Sequence, residues 1–226
     1  MQMCFKRYEL KFLISSLQYT NLLSNLLKRM STNEYSNTLI CNIYYDTPDF
    51  YLIRKSLEKP IYKEKLRLRS YNIPNKNSNV FLELKKKYNS IVYKRRIICP
   101  LNEVNNILIK GNQTQIEKEI SYFYQYYKDL EPRMFLSYHR FALFGIDNPS
   151  LRITFDTDIT YRDYDLDLTK GIYGNKLIKD QILMEIKTDT NLPLWLSQLL
   201  TENKIYQSSF SKYGQAYLKG GKQYVI

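Results

Sequence analysis

Glycine and proline are scarce in this chain, at 7 each among 226 residues, and so few backbone breakers exclude a collagen-like or low-complexity protein. Histidine is scarcer still. His139 stands alone, which rules out any zinc centre that needs two imidazoles. Cysteine occurs only at positions 4, 41 and 99. This odd, dispersed set has no CxxC spacing and predicts small buried thiols in a reducing compartment, without a disulfide framework. No apolar run approaches the ~20 residues that span a bilayer. The N-terminal MQMCFKRYELK turns charged at once and lacks the apolar core of a signal peptide, so a cytoplasmic location is expected. The nucleotide-binding signatures GxxxxGK[ST] and GxGxxG are both missing, and KGGK at Lys219–Lys222 lacks P-loop spacing.

What is present is an ordinary globular composition with a strong charge bias. Hydrophobic residues make up 44% and charged residues 25%, and the length is ample for a core. No repeat or long linker divides the chain, so residues 1–226 are expected to form one domain. Against 22 acidic residues stand 34 Lys and Arg, giving a formal charge of +12. Such an excess favours a polyanionic partner.

Strand periodicity dominates, with helices between. Alternation marks Phe5 to Ile14, YKEKLRLRSY (62–71), VFLELKKKY (80–88), IVYKRRII (91–98), MFLSYHRFALFG (134–145), LRITFDTDITYR (151–162) and ILMEIKT (182–188), and β-branched and aromatic residues mark Thr38 to Tyr45 before the turn signal Asp46-Thr47-Pro48. Helices are predicted over Leu17 to Met30 with Ser15 or Ser16 as cap, around Phe50 to Leu57, twice within 101–130, over Leu192 to Lys204, and beyond Phe210. The 163–180 stretch reads as a polar connection. These elements predict an α+β fold with an antiparallel sheet. His139, mid-strand among large apolar residues, reads as a structural histidine, and the aromatics read as core rather than as a base-stacking platform, so no nucleic-acid partner is expected.

The repeated feature is a basic face on separate strands, each opposite a mainly apolar face: Lys11, Lys65, Arg67, Arg69, Lys85, Lys94, Arg96, Arg140, Arg152 and Lys187. Solvated sheet faces normally mix charge signs. If the strands close into one barrel, these cations converge inside it, and buried cations are tolerable only around a polyanion. Arginine suits phosphate through its bidentate fork. Carboxylates on the same faces are few: Glu9, Glu83, Asp156, Asp158 and Glu185. A sparse acidic minority in a basic site suggests hard oxygen ligands for a divalent ion on phosphate, with Glu185 the sharpest candidate and Glu9 the next.

The ordered set RYELKF, YYDTPDF, KLRLRSY, FLELKKK, YKRR, SYHRFALFG, LRITFDT, MEIKT and SFSKYG resembles the polyphosphate polymerase domain of the vacuolar transporter chaperone (VTC) family, within the triphosphate tunnel metalloenzymes. The likeness runs in order from about Lys6 to Tyr217. It implies a tunnel-shaped antiparallel β-barrel with flanking helices, in which Lys11, Arg67, Arg69, Lys85, Lys94, Arg96, Arg140, Arg152 and Lys212 hold phosphates. Glu185 would bind manganese or magnesium. The implied activity moves the γ-phosphate of ATP onto a growing polyphosphate chain, so ATP and polyphosphate are the expected partners.

Two departures bear on this expectation. Related tunnel hydrolases open with an acidic ExExK strand, whereas this chain has Arg7-Tyr8-Glu9-Leu10-Lys11, which weakens the reading as a triphosphatase. The eukaryotic polymerases carry a lysine three residues before the SKY lysine, and Ser209 stands there instead. The regulatory and membrane segments of those proteins have no counterpart in this sequence, so export of a product would need a separate membrane protein. A tunnel triphosphatase and a non-catalytic polyphosphate sensor share the same charge, metal and fold expectations.

Overall fold

The computed structural model describes residues 8–89, 91–111, 113–189 and 191–220. Cys4, the first residues of the expected opening strand (Phe5 to Arg7), Asn112 and Lys222 lie outside the described residues. Among the described residues, ten strands and six α-helices follow one another as β1 (Tyr8–Ile14), α1 (Ser16–Leu26), β2 (Met30–Ser31), β3 (Asn37–Asp46), α2 (Tyr51–Leu57), β4 (Tyr62–Tyr71), β5 (Asn79–Tyr88) and β6 (Ile91–Pro100), then α3 (Val104–Lys110), α4 (Gln115–Tyr126), β7 (Glu131–Gly145), β8 (Arg152–Arg162), β9 (Asn175–Lys176), β10 (Ile182–Thr188), α5 (Leu194–Glu202) and α6 (Lys212–Lys219). The main sheet has the order β1-β10-β8-β7-β3-β4-β5-β6, with β2 added to β7 and β9 to β8. The fold is thus an antiparallel sheet with flanking helices, as the periodicity predicts.

The expected closure into a barrel is corrected. Among the described residues the strand path is open, with β1 and β6 at its ends. The outer edge of β1 is taken by irregular chain instead: Ser208 N–H donates to the Lys11 carbonyl at 2.7 Å. At the other end β6 carries Lys94, Arg95, Arg96 and Pro100, the residue types that protect an open edge from further pairing.

Two compact units divide the chain, with β7 and β8 each passing from one to the other. The first comprises, of the described residues, those within 8–38, 138–159 and 178–211. There Phe12 and Ile14 of β1, Ile153 and Phe155 of β8, and Met184 and Ile186 of β10 pack with Leu22 and Leu26 of α1 and Leu196 and Leu200 of α5. The second comprises, of the described residues, those within 39–137, 160–177 and 212–220. Its core joins Leu66 and Leu68 of β4, Leu82 and Leu84 of β5, Leu108 of α3, Ile120 and Phe123 of α4, and Phe135 of β7. Alternation places these side chains on one face of each strand and the charges on the other.

Local signals set the starts of two helices. Ser15 caps α1 and Thr114 caps α4, each in a reciprocal capping box, with Gln18 and Glu117 respectively. The first helix is shorter than expected. It stops at Leu26, and Met30 joins β2 opposite Gly145. A buried apolar residue four positions after Leu26 satisfies a helical stripe and a strand equally, and backbone pairing with β7 decides it.

Three further expectations are corrected. His139 is exposed, the first such residue after the run of buried positions Met134–Tyr138 in β7. Asp158, expected beside Thr154 and Asp156, is exposed while they are buried, and its φ of 49° breaks the alternation of β8. On amphipathic α4, Tyr122 and Tyr126 lie on the exposed side, their rings 6.0 Å apart, while Phe123 faces the core. Cys41 and Cys99 are buried free thiols, as expected, and burial pushes both up to about 11, leaving them weakly nucleophilic.

The 163–180 connection is more ordered than its polarity suggests. Arg162 is buried and donates to four carbonyls: Asp165 from Nε and Nη2, Gly171 and Tyr173 from Nη1, and Asp167 from Nη2. Its guanidinium also stacks 3.6 Å from the Phe135 ring centroid. Gly174, at φ 148°, brings its backbone so near the Tyr161 carbonyl that an added Cβ would lie 2.4 Å from that oxygen.

Candidate anion-binding faces

In the second unit, register turns four separate stripes into rows. Lys65 of β4 stands opposite Lys85 of β5, which stands opposite Lys94 of β6. One row along are Arg67, Glu83 and Arg96, and the next holds Arg69, Phe81 and Ile98. Arg67 and Arg69 also face Tyr44 and Asn42 of β3. Alternation gives all of these the face opposite the core.

Glu83 organises this face. It is only 1% exposed; its Oε2 accepts from Arg67 Nε at 2.6 Å, and its Oε1 forms ion pairs with Lys94 Nζ at 2.6 Å and Arg96 Nε at 3.0 Å. Arg69 lies 4.0 Å away. Burial alone would raise the Glu83 pKa, but Arg67, Arg69 and Lys94 outweigh it and hold the carboxyl well below the usual range. Neutral groups fix the arginines further. Asn42 Oδ1 accepts from Arg69 Nε at 2.9 Å, Tyr44 OH from Arg67 Nη1 at 3.3 Å, and Tyr71 OH from Arg96 Nη2 at 3.1 Å. The Arg96 guanidinium lies 3.8 Å over Phe81. Lys94 is lowered by burial, which Glu83 partly offsets.

Lys212 opens α6 in this unit. The helix is anchored by the next residue: Tyr213 OH donates to Asp46 Oδ2 at 2.7 Å, and its ring stacks on Tyr44 with centroids 4.5 Å apart. Lys65 Nζ lies 5.9 Å from the Tyr213 ring centroid. Asp46, fully buried, also accepts N–H groups from Thr47, Leu52 and Ile53.

The first unit carries a second basic face with more acid in it. Register sets Glu9 opposite Lys187 and Lys11 opposite Glu185, with Arg152 beyond Lys187 and Thr154 beyond Glu185. Arg140 of β7 grips Asp156 with Nε and Nη2 at 2.6 and 2.7 Å and reaches Glu185 at 3.4 Å. Lys11 lies 3.3 Å from Glu9 and 3.9 Å from Glu185, and its Nζ donates to the Phe210 carbonyl at 2.9 Å. Lys187 lies 3.6 Å from Glu9 and 3.9 Å from Glu185. Burial would lower the Arg140 pKa, but Tyr138, Asp156 and Glu185 raise it well above its ordinary value. Burial lowers Lys187, against the pull of Glu9 and Glu185.

The residues singled out in the sequence thus fall into two sets. Glu9, Lys11, Arg140, Arg152, Glu185 and Lys187 come together in the first unit, while Lys65, Arg67, Arg69, Lys85, Lys94 and Arg96, together with Lys212, belong to the second. Nothing in the sequence sets Glu83 apart from the other carboxylates on these faces or marks Asn42, Tyr44 and Tyr213, which set the arginines and α6. Asn42 and Tyr44 lie in a strand legible from its residue types, but which arginine each meets depends on cross-strand register.

No group of three His, Cys, Asp or Glu able to hold a metal occurs among the described residues. The donor set is nevertheless suited to an ion shared with phosphate. Glu9 and Glu185 border the same two lysines and could offer hard oxygen donors, and magnesium-type ions are commonly held by one or two carboxylates plus substrate phosphates rather than by an all-protein cage.

Solved structures place this architecture. A candidate adenylate cyclase from Bacillus halodurans aligns at 17% identity over 90% of this chain and 92% of its own, with a TM-score of 0.55; the chains share a fold. A candidate adenylate cyclase from Vibrio parahaemolyticus aligns at 14% identity over 96% and 99%, TM-score 0.48. A candidate adenylyl cyclase from Hippeastrum with a dominant triphosphatase activity aligns at 14% over 93% and 95%, TM-score 0.49. The family profile for the VTC domain matches residues 6–219. The chain belongs to the VTC domain family. No match was found among curated proteins. No helix of the described residues is long and apolar enough to cross a membrane.

Proposed function

We propose that this protein is a metal-dependent polyphosphate polymerase that transfers the γ-phosphate of ATP to the end of a polyphosphate chain. The carrying observation is the face of β4, β5 and β6, where Lys65, Arg67, Arg69, Lys85, Lys94 and Arg96 share one face with a single buried carboxylate, Glu83. Family membership supports the reading. A terminal phosphate oxygen of the chain attacks the γ-phosphorus, a new P–O–P link forms, the bond to the β-phosphate breaks, and ADP leaves. The acceptor is already an anion, so no base need remove a proton. Catalysis then rests on positioning and on positive charge where charge builds up.

In this scheme Arg67, Arg69, Lys85, Lys94 and Arg96, together with Lys65 and Lys212, orient phosphates in the second unit. Lys11, Arg140, Arg152 and Lys187 do the same in the first. Glu185 and Glu9 would hold manganese or magnesium, which when bound neutralises charge on phosphoryl oxygens.

The test follows γ-labelled phosphate from ATP with manganese. Label in long chains is expected; label released only as free phosphate would establish a triphosphatase instead, and no turnover with intact binding would establish a sensor. Glu185→Gln should abolish metal-dependent turnover while polyphosphate binding in chelator stays equal or tightens, one repelling charge being gone. Normal turnover with an unshifted manganese dependence would remove Glu185 from the metal site.

A further inference from the structure

The cationic face of the second unit does not end at the residues assigned above. One row beyond Lys65 and Lys85, Lys63 of β4 stands directly opposite Lys87 of β5. Like charges directly opposite on neighbouring strands are destabilising, and here they occupy two consecutive rows. Lys59 adds a third charge at this end of β4. It is exposed and held at φ 55°, a conformation unusual for a residue with a side chain. Its sequence neighbour Glu58 is paired with Lys55 at 3.0 Å. Lys63 Nζ donates to the Ser56 carbonyl at 3.2 Å. Burial lowers the Lys63 pKa, and Lys87, Lys59 and Lys85 lower it further. Repulsion of this kind gains nothing for the fold and is relieved by an anion.

We propose that Lys59, Lys63 and Lys87 form a docking track for the polyphosphate chain beyond the phosphates held at Arg67 and Arg69, and that this track selects long chains over triphosphate. The inference rests on the function proposed above. Its length fits. From Arg69 to Lys63 the side chains of β4 on this face span roughly 20 Å at about 3.3 Å per residue, more than three linked phosphoryl groups cover. Its chemistry favours a bare phosphate chain over a nucleic acid. Single-stranded nucleic acids need aromatic faces to stack their bases. The tyrosines at this end, Tyr62 and Tyr88, pair with each other one position along from Lys63 and Lys87 and so project to the opposite face. Phe81, on the lysine face, is covered by Arg96.

The experiment measures binding of long-chain polyphosphate and of inorganic tripolyphosphate to the full chain by titration calorimetry. The double variant Lys63→Gln/Lys87→Gln should bind long chains at least about tenfold more weakly and tripolyphosphate within about twofold of wild type, two charge-assisted contacts being lost from one ligand only. Arg67→Ala should weaken both ligands. An equal loss for both ligands in the lysine variant, or no loss for either, would overturn the track while leaving the function standing. Polyuridylate competing as well as polyphosphate would overturn its chain specificity. Wild-type protein that binds neither phosphate would overturn the proposed function and the track with it. Without ligand, the double variant should melt at an equal or higher temperature, since repulsion is removed; a lower one would show that these lysines serve the fold.

Discussion

At Glu83, opposite oxygens of one carboxylate receive Arg67 and Lys94, each at 2.6 Å. The arrangement makes a single residue the counter-ion of a whole basic face, and it has a pH signature. Its pKa is held below the unfolded value, so the stabilisation is fully present above about pH 4.3, the unfolded pKa, and is lost as pH falls through the lower folded one. Glu83→Gln should cost roughly 2–3 kcal/mol near neutrality, less than for a wholly buried pair because Lys94 and Arg96 are partly solvated. Urea titrations from pH 6 downward should show the variant losing stability less steeply than wild type below about pH 4. Parallel curves would mean that Glu83 titrates alike in folded and unfolded chains.

Elements in this protein are placed by buried polar anchors as much as by apolar stripes. Helix α6 carries only eight residues, too short to be stable alone, and Tyr213 ties it to Asp46 beneath α2. Tyr213→Phe keeps the stacking on Tyr44 and removes one hydrogen bond to a charged acceptor, worth about 1.5–3 kcal/mol. Amides of α6 should then exchange faster while those of β4 and β5 keep their protection, and transfer should slow because Lys212 loses its fixed place. Unchanged exchange in α6 would show that ring packing alone docks the helix. The legibility of these elements was uneven. YKEKLRLRSY matches β4 to the residue, because its charged and apolar positions alternate without interruption. Helix α1 was overextended because Met30 suits two periods at once.

Across the whole molecule the formal charge of +12 acts as a long-range field on any polyanion, and salt screens that field. Affinity for polyphosphate should therefore fall at least about tenfold between about 50 and about 200 mM salt, with a linear dependence of log affinity on log salt, as for other polyanions neutralised by several cations. A flat dependence would mean that a few desolvated contacts carry the binding.

Alternation alone determined that cations and apolar side chains occupy opposite faces of the strands, since a residue's face follows from its parity along the chain. Composition determined the sign of the protein's own field, at a formal charge of +12. Tertiary structure decided the rest. Cross-strand register made Glu83 the hub of four cations and set Lys63 against Lys87, and Ser208 took the outer edge of β1, which ends the sheet there. Parity is a local property of one strand. Register and edge pairing are settled between segments as distant as Lys11 and Ser208, where hydrogen-bond geometry and the packing of both cores select one alignment among many that the sequence pattern permits.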